Sequence, residues 1–156
     1  MLASVAAMDE KSTSGPRTGE ERMIRQSIEL WVENAGRVLL LRVAAGRDHP
    51  AFWQPVTGGV EGEEDVREAA VRELREETGL IASSSDLDLV ARDILVPISS
   101  DLSVNKALFR LCTDESEVTV NPEEHTDFRW VDAAEVEDRL FWESNRTTWG
   151  LVRPSP

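Results

Sequence analysis

In the segment GGVEGEEDVREAAVRELREETGL, residues 58–80, seven residues are Glu, and Glu73, Glu76 and Glu77 crowd into five positions. On a helix advancing about 100° per residue these three carboxylates fall at about 0°, 300° and 40°, a shared arc of about 100°. Like charges so spaced repel by roughly 0.2–0.5 kcal/mol per pair. Near a helix C-terminus the macrodipole disfavours anions as well. A divalent cation removes both penalties, and hard ions such as Mg²⁺ and Mn²⁺ prefer carboxylate oxygens. The flanks fit a site: Gly79 is placed as a left-handed helix cap, and Gly58-Gly59 would let backbone approach a ligand closely. Arg72 can pair with a carboxylate and fix its orientation. A solvated acidic face is the competing explanation, and it is sufficient for Glu61, Glu63 and Glu68.

The elements that must hold these residues follow from periodicity. Apolar runs over 24–33 and 37–43, separated by Asn34-Ala35-Gly36, predict a hairpin. Residues 44–54 are expected to be a loop, and Pro55-Val56-Thr57 a short extended piece ending at Gly58-Gly59. A helix is predicted over 64–78, with Val71, Leu74 and Thr78 facing inward and Ala70 at the edge of that flank. Two strands follow, 87–97 and 103–112, joined by Ser99-Ser100-Asp101, and a last short strand spans Phe128 to Val131. Asp132-Ala-Ala-Glu135 matches a capping box opening a short helix. A final helix is expected after Phe141, capped by Ser144 or Asn145 and closed by Trp149, Leu151 and Val152. Residues 1–23 lack periodicity and are expected to be a flexible tail, leaving one domain over 24–156. Strands and helices in this order predict an α+β class, a mixed sheet flanked by helices.

Composition excludes several function classes. The formal net charge is −13, and residues 1–27 carry four acids and four bases, so the deficit lies on residues 28–156. Such a surface repels a phosphate backbone and argues against a nucleic-acid polymer, while a small phosphorylated ligand could be bridged by a cation. No apolar run has the roughly 18 residues of a membrane span. The chain's one cysteine, Cys112 in LFRLC, is expected in a strand core and fits a reducing cytoplasm.

The spacing Gly58-x5-Glu64-x7-Arg72-Glu73-Leu74-x-Glu76-Glu77-x-Gly79-Leu80 resembles the signature of the Nudix (MutT-like) hydrolases at nine specified positions. Agreement by chance is on the order of one in a billion per start position. The resemblance implies a box of loop–helix–loop on a mixed β-sheet between helices. It also implies a Mg²⁺-dependent (or Mn²⁺-dependent) hydrolase that cleaves a diphosphate linked to another moiety. By likeness Glu73, Glu76 and Glu77 would ligate metal, Glu64 would support the metal cluster, and Arg72 would hold a box Glu in place. Gly58 and Gly59 would contribute backbone contacts. Glu76 or Glu73 would take the proton of the attacking water, with Glu124 as a further candidate. Family members often supply one more acidic ligand from outside the box. Here Glu124, beside His125 in NPEEHTDFRWVD, would be that ligand.

Outside the box, FWQPVTGGVE, EEHTDFRWVD and FWESNRTTW resemble the bacterial dihydroneopterin triphosphate pyrophosphatases, which also act on dATP-like nucleotides. The segment between the two strands after the box is shorter here, about Val96 to Asn105, and the chain has no Tyr. That departure keeps general nucleoside triphosphates in view, and Pro97, 17 residues past Leu80, keeps ADP-ribose or a nucleotide sugar as an alternative. Trp53 is a candidate to stack on a ring, and Arg42 and Arg92 are candidates to reach phosphates. A non-catalytic nucleotide sensor is the contrasting class; such domains often lose box carboxylates, and this chain keeps all of them. An isoprenoid diphosphate isomerase would need a Cys near the site. Homodimers are common in the family.

Overall fold

The computed structural model describes residues 23–154. Strand β1 (Met23–Asn34) turns through Ala35 and Gly36, both at positive φ (51° and 81°), into β2 (Arg37–Val43). A two-residue turn of that hand matches the twist of the paired strands. Short strands β3 (Phe52–Gln54) and β4 (Val56–Gly59) follow, then helix α1 (Val66–Thr78). Strands β5 (Asp88–Pro97), β6 (Leu102–Cys112) and β7 (Asp127–Asp132) come next, then α2 (Val136–Arg139) and α3 (Glu143–Val152).

The strands form one mixed sheet in the order β3-β2-β1-β6-β5, with β4 added to β1 and β7 added to β2. The pair β1–β6 is parallel, and the remaining pairs are antiparallel. Side-chain alternation divides the core in two. Ile28, Leu30, Val32, Leu39 and Leu41 pack with Ala69, Ala70 and Leu74 of α1. Trp31, Val38 and Leu40 point the other way, to Val136, Trp149 and Val152 of the later helices. The α+β sheet between helices is therefore present as the patterning implied. Among the described residues no helix is long and apolar enough to cross a membrane.

Several expectations are corrected. The helix expected to start at residue 64 begins at Val66, because Asp65 caps it: its side chain accepts from Glu68 N–H while Glu68 reaches back to Asp65 N–H. The loop assigned to 44–54 contains β3, too short to show a period. Asp132 makes no side-chain cap bond, so the expected capping box is not formed. Trp142, not Ser144 or Asn145, occupies the cap position of α3, and Asn145 is fully buried within the helix. Cys112 is exposed at the end of β6 rather than in the core, with its Sγ 3.8 Å from Glu33 Oε2. The tail expected over residues 1–23 lies outside the described residues except for Met23, which belongs to β1.

Candidate active site

Helix α1 lies across the sheet beside β4, and its inward face is only partly apolar. Ala69, Ala70, Leu74 and Thr78 are buried there, and so are Glu73 (4% exposed) and Glu77 (1%). Val71 and Glu76 are less enclosed. The carboxylate arc seen on the helical wheel is thus turned into the protein. The helix ends at Gly79 in the left-handed conformation (φ 77°), whose N–H returns to Arg75 O at 2.9 Å.

Gly58 exists as glycine for a specific reason. A Cβ at that position would fall inside the carboxyl group of Glu73. The space a side chain would fill is taken by the acid. At Gly59 a Cβ would meet nothing nearer than 4.0 Å, and the function of this residue is through its backbone. Its carbonyl accepts from Arg72 Nη2 at 2.8 Å.

Arg72 is the organising cation. Nε and Nη2 hold Glu64 at 3.1 and 2.6 Å, and Nη1 reaches Glu73 at 2.9 Å and Glu76 at 3.2 Å. Glu61 completes the ring at 3.6 Å. Glu64 also accepts from Glu61 N–H at 2.8 Å. The Arg72 hydrogen bond holds the Glu64 carboxyl below its ordinary pKa, and Glu64 in turn raises that of Arg72. Glu64 is consumed in orienting Arg72, and Arg72 orients Glu73 and Glu76.

Behind them Glu77 has little solvent and acidic neighbours. Burial drives its pKa well up, and Glu73 and then Glu124 push in the same direction, opposed by a hydrogen bond from the Thr57 backbone. Glu124, from the loop before β7, is raised by burial and by Glu73 and Glu76. The structure therefore brings together Glu73, Glu76, Glu77 and Glu124. Glu77 Oε1 and Glu124 Oε2 are buried without a hydrogen-bond partner. Oxygen atoms from several carboxylates, two of them unsatisfied, are the donor chemistry that fits a hard divalent cation. Among the described residues no three His, Cys, Asp or Glu side chains already form a coordination shell; Arg72 takes the Glu73 and Glu76 oxygens instead.

Two further residues complete this layer. His125, 1% exposed, sets Nε2 at 3.9 Å from Glu77 Oε1 and 3.3 Å from the Gln54 amide. Burial lowers its pKa to about 4, so the ring is neutral at pH 7. Gln54 was not singled out in the sequence, since it lies in a three-residue strand assigned to a loop; there it shares the buried face with Phe52.

Other candidates are placed elsewhere. Trp53 is half-buried against the cluster on the opposite face of the sheet, with the Arg129 guanidinium 5.6 Å above its ring. Arg42 donates to Thr126 Oγ1 at 3.2 Å, beside the loop carrying Glu124. Arg92 is exposed on the edge strand β5, three strands away from β4.

Residues 23–149 match the NUDIX domain family. Over 116 residues the chain is 30% identical to a dihydroneopterin triphosphate diphosphatase of Haemophilus influenzae, covering 68% of this chain and 72% of that protein. It is 32% identical over 128 residues to the nucleoside triphosphatase NudI of Klebsiella pneumoniae, covering 77% and 90%. The solved Escherichia coli dihydroneopterin triphosphate pyrophosphohydrolase superposes with a TM-score of 0.68 at 27% identity, covering 85% of this chain and 97% of that one.

Proposed function

Because this chain belongs to the Nudix hydrolase family, we propose that it is a Mg²⁺-dependent pyrophosphohydrolase that cleaves a nucleoside triphosphate or dihydroneopterin triphosphate and releases pyrophosphate. The observation that carries this reading is the grouping of Glu76 and Glu124 with the buried Glu73 and Glu77, with one oxygen each of Glu77 and Glu124 unpaired. The fit to a divalent ion supports Mg²⁺, with Mn²⁺ as the alternative hard cation.

Glu73, Glu76, Glu77 and Glu124 would hold the cation, which when bound would neutralise diphosphate oxygens and lower the pKa of a water. Arg72, itself held by Glu64, keeps Glu73 and Glu76 in place. Gly59, where a Cβ would meet nothing nearer than 4.0 Å, would let a phosphate approach the backbone of β4, whereas at Gly58 that space is held by the Glu73 carboxyl. Glu76, with 31% of its side chain exposed, would serve as the general base, able to take up a proton and pass it to solvent; Glu73, at 5%, has no such outlet. The domain comprises residues 24–156, and the unpaired, exposed Cys112 suits a reducing cytoplasm. The experiment is a product assay on the four deoxynucleoside triphosphates, dihydroneopterin triphosphate and ADP-ribose. Turnover of ADP-ribose alone would support the nucleotide-sugar reading instead, and binding without turnover would support a sensor.

A further inference from the structure

Around the acidic site, Gln54 Oε1, Glu77 Oε1, Glu124 Oε2 and His125 Nδ1 are buried side-chain atoms without a hydrogen-bond partner. Glu77 and Glu124 are the acids whose fitting partner is a cation. Gln54 and His125 are not acids, and they are 0% and 1% exposed. A buried amide and imidazole with unpaired atoms cost free energy that an apolar pair of the same size would not. Their polarity therefore has a reason other than stability.

Three elements meet at this pair. Gln54 is on β3 opposite Leu41 of β2, on the face of the sheet that α1 covers. Glu77 is on α1 and is also held by the Thr57 backbone, three residues beyond Gln54. His125 comes from the loop before β7, which Asn121 closes. The Asn121 carbonyl accepts from the N–H of Glu124 at 3.0 Å and of His125 at 2.9 Å, and its Oδ1 accepts from Glu123 N–H at 3.1 Å. Thr126 N–H donates to the Arg42 carbonyl at 2.9 Å, tying the end of this loop to β2. The His125 ring reaches both other elements: Nε2 lies 3.3 Å from the Gln54 amide nitrogen and 3.9 Å from Glu77 Oε1.

An amide NH₂ group only donates, so His125 Nε2 accepts from Gln54 and the ring proton is on Nδ1. Gln54 thus selects the tautomer and holds the ring in place. Glu124 precedes His125 in the same closed turn, so a fixed ring also fixes the direction from which the Glu124 carboxylate approaches the acids of α1.

We propose that Gln54 and His125 are positioning residues: through the His125 ring, Gln54 keeps the loop-borne Glu124 registered against the helix-borne Glu77, so that both carboxylates serve one cation site. Neither Gln54 nor His125 touches the cation or the substrate. The role rests on the metal-dependent reading of the acidic site; the tautomer that Gln54 imposes does not.

Replacing the pair with apolar residues of similar volume tests this, in Gln54→Met and in Gln54→Met/His125→Leu. At neutral pH and without metal, the double variant should melt at the wild-type temperature or above, since unpaired polar atoms leave the core. Its Mn²⁺ affinity by calorimetry should nevertheless fall about tenfold or more, the usual result of freeing a residue that orients a metal ligand. In steady state with Mg²⁺, kcat should fall about tenfold or more while KM stays within about twofold. Nitrogen NMR of the His125 ring, with no metal or substrate present, should show the Nδ1–H tautomer in wild type and a mixture of tautomers in Gln54→Met. Wild-type Mn²⁺ affinity and kcat in the double variant would make the pair core filling and overturn the proposal. A parallel loss of melting temperature and Mn²⁺ affinity would make it a fold-stabilising pair and overturn it too, as would an Nε2–H tautomer in wild type. If wild type binds Mn²⁺ but hydrolyses no triphosphate, and the double variant loses that binding while still melting as wild type does, the positioning role stands and the hydrolase reading falls.

Discussion

Gly58 and Glu73 share one volume: the Glu73 carboxyl occupies the place of the side chain that Gly58 lacks. This couples β4 to the inward face of α1 at the point where the acids gather. Gly58→Ala should displace Glu73 and lower kcat/KM by about 100-fold, since small displacements of reacting groups have effects of that order. Gly59→Ala, with its nearest atoms at 4.0 Å, should stay within a few fold, about threefold or less. Steady-state kinetics of the pair checks this, and equal losses would contradict the reading.

Arg72 makes bonds to Glu64, Glu73, Glu76 and the Gly59 carbonyl that only a guanidinium can make together. Arg72→Lys keeps the charge and loses the fork, so kcat should drop by about 10²-fold, with the fold retained. Glu64→Gln should give a smaller loss in the same direction, because Glu64 acts through Arg72. Kinetics with circular dichroism separates this from unfolding. Full activity in Arg72→Lys would show that the net charge alone suffices.

Glu77 gives a pH signature in metal-free protein. Its folded pKa lies above the ordinary 4.5, so the folded state holds a proton that the unfolded chain has released. Its stabilising contribution is complete below pH 4.5 and is lost as pH rises through the folded value. Glu77→Gln should therefore raise the Tm of the metal-free protein at about pH 8, by about 2–4 °C per kcal/mol gained, and flatten its decline with pH. The same variant should lose Mn²⁺ binding in calorimetry. A lower Tm at that pH would contradict the assignment.

His125 has the opposite sign. Its folded pKa is about 4 against an ordinary 6.5, because burial disfavours the charged ring. The contribution is present above pH 6.5 and lost as pH falls toward 4, about 3 kcal/mol in full. Between these values Glu77 and His125 oppose one another, and His125→Gln should expose the Glu77 trend alone. Direct NMR titration of the His125 ring should show no protonation above about pH 5; a midpoint near the ordinary value would refute it.

Much of this site was legible in the sequence. The glycine and glutamate spacing located α1, its Gly79 cap and the acids, because helical period and cap chemistry are local. Burial of Glu73 and Glu77 was not legible, because on a wheel an acidic arc looks the same wet or dry. Only the closeness of β4, enforced at Gly58, distinguishes them. Gln54 was lost with a three-residue strand that shows no period. Asn145 was assigned to a cap because short polar residues favour helix starts, whereas its hydrogen bond to Glu29, which Lys106 also holds, placed it inside. The signal for that network was present: Glu29 and Lys106 interrupt apolar runs on inward-facing strand positions.

The central claim is release of pyrophosphate under control of a divalent ion held by the buried carboxylates. Phosphorus NMR of the purified protein with Mg²⁺ and dATP or dihydroneopterin triphosphate tests it directly. The account predicts a monophosphate and pyrophosphate in equal amounts, abolished by chelator and reduced by orders of magnitude, about 10³-fold or more, in Glu77→Gln. Orthophosphate without pyrophosphate, or undiminished turnover in Glu77→Gln, would contradict it.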